Sequence, residues 1–239
     1  GYEDVNDHDP LRHDLALQTA IEKGSLLASA STLCRLENRS GRDTAWAIHR
    51  VIVDGFVASF KRAPRKLILD FDATDDKVHG KQEGRFFHGY YDSYCFLPLY
   101  VFCGEQLLVS YLRPSKIDGA KHAWAILSLL VKRLRQSWPN VKIIFRGDSG
   151  FCRHKMLSWC ERNEVNYIVG LAKNKRLNTQ SQKLQQQAED QFQKTGNKQR
   201  LFSELRYAAK SWNRKRRVIA KAEHTEKGSN PRYIVTSLD

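Results

Sequence analysis

The sequence predicts a mixed α/β chain organised around one central sheet, and three observations carry that prediction. Residues 67–72 and 141–146 are short apolar runs that each lead into aspartate, as buried central strands do when they deliver a carboxylate to a sheet edge. Residues 94–102 and 106–112 read as two more strands joined through Cys103-Gly104-Glu105, a link short enough to force an antiparallel pair. Between that pair and the second aspartate run, residues 117–137 carry Ala120, Ala123, Trp124, Leu127, Leu130, Val131 and Leu134 at helical spacing, stopped before Pro139.

Taken in order, residues 1–64 form a helical N-terminal region. Leu11, Leu15, Leu17 and Ile21 recur at helical spacing, as do Trp46, Ile48, Val51, Ile52, Val53 and Phe56, and Asp9 before Pro10 resembles an N-cap followed by proline at N1. Pro64 closes this region. After the strand at 67–72, the hairpin and the helix, residues 141–146 form a strand, 155–163 a short helix and 166–170 a fifth strand. Three antiparallel strands followed by alternating helix and strand is the order of the ribonuclease-H-like fold, in which the first and fourth strand tips lie side by side. This core is expected over residues 65–173. Residues 174–230 read as a basic insertion with a polar helix near 180–187 and strands near 205–209 and 216–223. Residues 231–239 read as a strand returning to the core.

The chain holds 40 Lys and Arg against 26 Asp and Glu, a formal charge of +14, which favours a polyanionic partner. The excess is local: residues 1–60 hold nine acidic and six basic side chains, residues 173–221 three acidic and fourteen basic. Cys34, Cys95, Cys103, Cys152 and Cys160 form no CxxC pair and leave an odd one out, which indicates neither a disulfide framework nor a zinc ribbon and leaves reduced thiols as the expectation. Cys152, His154 and Cys160 lack a fourth zinc ligand. The longest apolar stretch, residues 94–103, is too short to span a bilayer, and no signal peptide opens the sequence, so a cytoplasmic location is expected. The first residue is Gly, not Met, which reads as a fragment or a processed product.

Alternation along the first strand puts Asp70 and Asp72 on one face and Leu69 and Phe71 on the other. Asp148 follows Phe145-Arg-Gly, with Gly147 and Gly150 allowing close backbone approach and a sharp exit. Should the two strands be neighbours, Asp72 and Asp148 converge. Such a carboxylate pair suits Mg²⁺ or Mn²⁺ and the two-metal displacement of a phosphodiester. The competing account is that Asp70, Asp72, Asp75 and Asp76 are turn and capping residues.

Beside this, the set Leu69-Asp-Phe-Asp-Ala-Thr-Asp-Asp76, His79-Gly-Lys-Gln-Glu83, Phe87-His-Gly-Tyr-Tyr91, Leu97-Pro-Leu99, Leu112-Arg-Pro114 and Arg146-Gly-Asp-Ser-Gly-Phe151 resembles bacterial insertion-sequence transposases of the DDE type. The resemblance runs over nearly the whole chain. It implies DNA transposition by metal-dependent cleavage and strand transfer, with Asp72 and Asp148 as the first two catalytic, metal-binding aspartates and Mg²⁺ or Mn²⁺ as cofactor. Asp70, His79 and Gln82 become neighbours of that site. It further implies double-stranded transposon-end and target DNA as partners, a homodimer on paired ends and a nucleoid-associated location. One departure stands out: the family's third acidic residue, a glutamate within a Tyr-x-x-Arg-x-x-x-Glu pattern, is missing here, and the expectation is that it follows Asp239.

Lys173, Lys175, Arg176, Arg214, Lys215, Arg216 and Arg217, interleaved with Tyr207 and Trp212, are expected to contact the DNA backbone and to stack on bases. Two rival readings are open. Asp70-Phe-Asp72-Ala-Thr74 also fits the Asp-x-Asp-x-Thr motif of haloacid-dehalogenase-like phosphatases, with Asp70 as nucleophile and Asp72 as proton shuttle. That fold, however, continues its first strand with parallel units, not a hairpin. The other rival is a catalytically dead DNA-binding remnant.

Overall fold

In the computed structural model, which describes residues 5–239, two compact units divide the chain, Gly1–Val51 and Ile52–Asp239, with the division inside a helix. The first unit contains α1 (His8–Leu11), α2 (Leu15–Ala20), α3 (Ala30–Arg39) and the start of α4 (Arg42–Ala58). Asp14 caps α2, its side chain accepting the Leu17 backbone N–H at 3.0 Å. Asp9 does not serve as the cap expected of it. It lies inside α1, and its Oδ1 accepts the backbone N–H of Ala30 at 3.0 Å, a tie between α1 and the first turn of α3. The periodic residues Leu15, Leu17, Ile21, Trp46, Ile48 and Val51 are exposed.

In the second unit the strands are β1 (Lys66–Ala73), β2 (Asp76–Lys77), β3 (Phe86–His88), β4 (Ser93–Phe96), β5 (Leu99–Cys103) and β6 (Gln106–Tyr111). Then come α5 (Ala123–Ser137), β7 (Lys142–Gly147), α6 (His154–Arg162) and β8 (Asn166–Leu171). After these follow α7 (Lys175–Gln180), α8 (Gln182–Thr195), β9 (Gln199–Tyr207), β10 (Arg216–Thr225), β11 (Gly228–Ser229) and β12 (Arg232–Thr236). The main sheet runs β11-β10-β12-β8-β7-β1-β5-β6, with β9 paired to β10. Pairing is antiparallel for β1 with β5 and β5 with β6, and parallel for β1 with β7 and β7 with β8. This is the ribonuclease-H-like arrangement, with β1 at its centre. A haloacid-dehalogenase sheet does not accommodate an antiparallel β5 against the motif strand.

The expected strand at 94–102 breaks at Leu97-Pro98, because proline has no N–H for the ladder. Its first half, β4, pairs with β2 and β3 in a separate three-stranded sheet, and its second half, β5, enters the main sheet. The β5–β6 turn needs Gly104, whose φ is +61°. On the far side, β12 pairs antiparallel with both β8 and β10, so one continuous sheet runs from the core strands into residues 199–225.

The core follows from strand alternation and one helical stripe. In β1, Leu67, Leu69 and Phe71 are buried while Ile68, Asp70 and Asp72 are not. Ala123, Leu127, Leu130, Val131 and Leu134 of α5 join the same cluster, each large side chain contributing about 1.5–3 kcal/mol. Trp124, read from the sequence as part of this stripe, is 37% exposed, with the Lys155 ammonium 4.4 Å from its ring centre.

The α5 helix starts six residues later than its periodicity predicts, and Arg113 supplies the reason. This side chain is 1% exposed; its Nε donates to the Leu97 carbonyl at 2.8 Å, and one Nη donates to those of Gly119 (3.0 Å) and Lys121 (2.6 Å). Those bonds hold residues 114–122 as a loop. Arg113→Ala leaves three carbonyls without their donor, that of Leu97 in the interior, and is expected to cost about 3 kcal/mol or more, read as a fall in the urea midpoint; a change under about 1 kcal/mol excludes that role.

Burial raises the thiol of Cys160 to about 12 and that of Cys152 to about 11, and Cys95 is buried, whereas Cys34 is exposed. At pH 8 a disulfide reagent is therefore expected to titrate Cys34 rapidly in the folded chain, and Cys95, Cys152 and Cys160 after denaturation. Rapid labelling of Cys160 in the native state contradicts this packing. Among the described residues, no helix is long and apolar enough to cross a membrane.

Candidate active site

Parallel pairing of β1 with β7 sets the register that builds the site. Asp70 stands opposite Arg146 and Phe71 opposite Gly147, so Asp72 and Asp148 follow as the next residues of adjacent strand ends. Beneath them the rings of Phe71, Phe145 and Phe151 pack edge to face, at 5.1 Å for the first two and 6.2 Å for Phe71 with Phe151, and give the tips a rigid apolar floor. Both carboxylates are exposed.

Asp148 is held by its own turn. One of its oxygens accepts the Gly150 N–H at 2.8 Å as the cap of the short 3-10 turn Ser149–Phe151, which leaves the other oxygen free. On the neighbouring β8, Gly170 lets this turn pass close: a Cβ there would stand 2.8 Å from the Ser149 nitrogen and 3.0 Å from the Asp148 carbonyl carbon. Asp72 makes no hydrogen bond or ion pair among the described residues.

Asp70 has a different state. Arg146 meets it in a bidentate pair, Nε with Oδ1 and Nη2 with Oδ2, the second at 2.6 Å. This neutralises the carboxylate one step before the tip and leaves no free oxygen pair for nucleophilic attack on phosphorus. The pairing was legible in principle, since Asp70 and Arg146 each stand two residues before a tip aspartate on strands expected to be parallel neighbours.

His79 and Gln82 lie in the exposed loop between β2 and β3, where neither forms a hydrogen bond or ion pair among the described residues. The turn between β3 and β4 instead brings Tyr91 to the tips. Its hydroxyl is 3.4 Å from the carbonyl of Ala73, and burial, then the charges of Asp75, Tyr90, Asp72 and Asp148, raise its pKa above the ordinary tyrosine value. No spacing rule points to Tyr91, because the reversal between β3 and β4 decides where it goes. Among the described residues no three His, Cys, Asp or Glu side chains gather as a metal-binding group. The two tip aspartates still fit a hydrated hard cation, which takes one or two carboxylates and completes its shell with water and phosphate oxygens.

The basic set divides. Lys173, Lys175, Arg176, Arg214 and Lys215 are exposed, although Arg214 reaches Glu161 at 3.0 Å and Lys173 donates to Asn230 at 3.2 Å. Arg217 is half-committed, to Glu204 at 2.7 Å and to the Leu238 carbonyl at 2.7 Å. Arg216 corrects the expectation of a DNA-facing side chain: it is 3% exposed, its guanidinium bonded to Glu161 at 2.7 and 3.0 Å and to Ser158 at 3.2 Å. Tyr207 and Trp212, expected to stack on bases, are buried against each other, their ring centres 5.7 Å apart. Lone basic and aromatic residues carry no mark of burial; Arg216 goes inside because Glu161 on α6 meets it there.

Comparison with known proteins then bears on the family. None of the curated proteins matches the chain. Among solved structures, it is similar to a piggyBac transposase synaptic complex with hairpin DNA, determined by cryo-electron microscopy, at 13% identity and a TM-score of 0.43, over 89% of this chain and 44% of that one. This chain thus spans less than half the length of that transposase. The model of the transposase DDE domain, group 1, matches residues 1–239, and a match of that extent settles membership: the chain belongs to the DDE transposase domain family.

Proposed function

We propose that this chain supplies the first two catalytic aspartates, Asp72 and Asp148, of a transposase that cleaves transposon-end DNA and joins its 3′-hydroxyl to a target strand. The observation that carries the reading is the β1–β7 register, in which two exposed carboxylates occupy neighbouring tips while Asp70 is neutralised by Arg146. DDE transposase domains use divalent metal ions, and Asp72 with the free oxygen of Asp148 would hold Mg²⁺ or Mn²⁺. When bound, that ion offsets their mutual repulsion and supplies Lewis-acid stabilisation of the phosphoryl oxygens. The chain's own part is to fix the two carboxylates on a rigid floor and to present phosphate-binding side chains from Lys173, Lys175, Arg176, Arg214, Lys215 and Arg217. Double-stranded DNA is the partner, with a dimer bridging paired ends. Residues 65–173 act as the catalytic core, 174–230 as its basic insertion and 231–239 as the strand that rejoins it.

The test is metal-dependent nicking of end-containing duplex by a transposase containing this chain. Loss of nicking in Asp72→Asn and Asp148→Asn supports the proposal. DNA binding with no metal-dependent cleavage supports the remnant reading, and turnover of small phosphate monoesters dependent on Asp70 overturns both. Binding itself is expected to weaken by an order of magnitude or more between ~50 and ~200 mM salt. Replacing Lys175, Lys215 and Arg176 together lowers the slope of log affinity against log salt by about two to three. An unchanged slope removes these residues from the interface.

A further inference from the structure

Both arginines that flank Asp148 in sequence are taken by other carboxylates. Arg146 pairs with Asp70, and Arg153 donates to Asp118 at 2.5 Å, which ties the chain after β7 to the loop before α5. A phosphate brought to the tips therefore meets Asp72 and Asp148 with neither of those guanidiniums turned toward it. Its non-bridging oxygens, where charge builds as the displacement proceeds, need a donor. A cation among these carboxylates is captured by one of them, as Arg146 is, whereas a neutral hydroxyl is not.

Tyr91 is the hydroxyl that the fold delivers there. Its oxygen lies 3.4 Å from the carbonyl of Ala73, the residue directly after Asp72. Three constraints put it in that place. Its backbone N–H donates to the His88 carbonyl at 3.1 Å, its ring centre lies 4.9 Å from that of His88, and Asp92 turns the chain back in the left-handed region, with φ +49°. The bond to Ala73 is far longer than the usual O–H···O length of about 2.7–2.8 Å, so it holds the hydroxyl loosely. An anionic oxygen makes the stronger acceptor and displaces the carbonyl. Burial, followed by the charges of Asp75, Tyr90, Asp72 and Asp148, raises the phenol above its ordinary pKa, so it keeps its proton and stays a donor.

We propose that Tyr91 is a further catalytic residue, whose hydroxyl donates a hydrogen bond to one non-bridging oxygen of the scissile phosphate held between Asp72 and Asp148. This rests on the reading of those two aspartates as catalytic. No bond to the phenol forms or breaks, since its proton remains on it. The donation strengthens as negative charge gathers on that oxygen in the transition state, and it therefore raises the rate and not the affinity.

The test is nicking of end-containing duplex in Mn²⁺ by a transposase containing this chain. Tyr91→Phe is expected to lower kcat by about tenfold to a hundredfold, with KM, Mn²⁺ affinity and the circular dichroism spectrum unchanged. Tyr90→Phe, at a neighbouring side chain that is 85% exposed, leaves kcat unchanged. The substrate is then made with sulfur, a weak acceptor, in place of one non-bridging oxygen of the scissile phosphate, in each of its two configurations. In one configuration the loss from Tyr91→Phe is expected to shrink to about twofold or less, and in the other it persists in full. Equal losses on the oxygen substrate and on both sulfur substrates make Tyr91 a brace of the fold and overturn the proposal. So does a loss under about twofold on the oxygen substrate while Asp72→Asn and Asp148→Asn still abolish nicking, an outcome that leaves the reading of the aspartates intact. Absence of nicking, or nicking that persists in both aspartate variants, overturns that reading and the role of Tyr91 with it.

Discussion

Replacing Asp72 or Asp148 by asparagine is expected to lower metal-dependent DNA cleavage by about three orders of magnitude or more, equivalent to about 4 kcal/mol of transition-state stabilisation. The size of the effect follows from the proposed roles: each carboxylate would be a direct ligand, and asparagine keeps the shape while removing the charge that holds the cation. Neither side chain supports the fold, since Asp72 is exposed and unpaired among the described residues and Asp148 gives one oxygen to its own turn. Unfolding midpoints are therefore expected to stay within about 1 kcal/mol of the parent. Mn²⁺ binding, followed by paramagnetic resonance, is expected to weaken at least about tenfold in either variant.

The internal control is Asp70→Asn, two residues away on the same face of β1. Its partner Arg146 has half its side chain in solvent, so loss of the pair costs about 1 kcal/mol or less. Metal affinity should survive. If Asp70→Asn abolishes Mn²⁺ binding while Asp72→Asn does not, the assignment of the two aspartates is reversed.

Arg216→Ala is expected to destabilise the second unit by about 3–5 kcal/mol, on the order of 10 °C in a thermal melt. The cost comes from what is left behind: Glu161, mostly buried, loses two bonds to the guanidinium, and Ser158 loses its donor. The exposed Arg214→Ala removes a neighbouring contact to the same carboxylate and should cost about 1 kcal/mol or less. Similar melts for the two variants would place Arg216 in solvent.

The same carboxylate makes stability depend on pH. Burial alone would raise the Glu161 pKa, but hydrogen bonds from Arg216, Arg214 and Tyr167 outweigh it and hold the group below its ordinary value of 4.5. A depressed folded-state pKa contributes stability that is complete above the unfolded value and is lost as pH falls through the folded one. Between pH 7 and 5 this contribution stays constant, and below about pH 4.5 it declines. Glu161→Gln is expected to flatten the acid limb of the stability curve; an unchanged limb assigns acid lability to other groups.

Much of the core sheet was legible because its signals are local. Alternation in residues 67–72, the single glycine turn between β5 and β6 and the apolar stripe of α5 each act within a few residues, and strand adjacency follows from the chirality of short connections. The separate β2-β4-β3 sheet was not legible. Two- and three-residue strands carry no periodicity, and Leu97-Pro98 divides what reads as one apolar run. Arg113 was visible as a residue of a motif but not as a buried one, since its carbonyl partners come from Leu97, Gly119 and Lys121.

What the sequence determined by itself was the order of the core elements β1, β5, β6, α5, β7, α6 and β8, the excess of positive charge after residue 173 and the two aspartates at strand ends, because each is a matter of residue type and short-range period. Tertiary structure alone decided which charges are free. Asp70 is tied to Arg146 and Arg216 to Glu161, whereas Asp72 stands unpaired, and those differences depend on register between segments 55 to 76 residues apart. The pairing of a charge is a property of the space around it, and alternation along a strand fixes only the face on which that space lies.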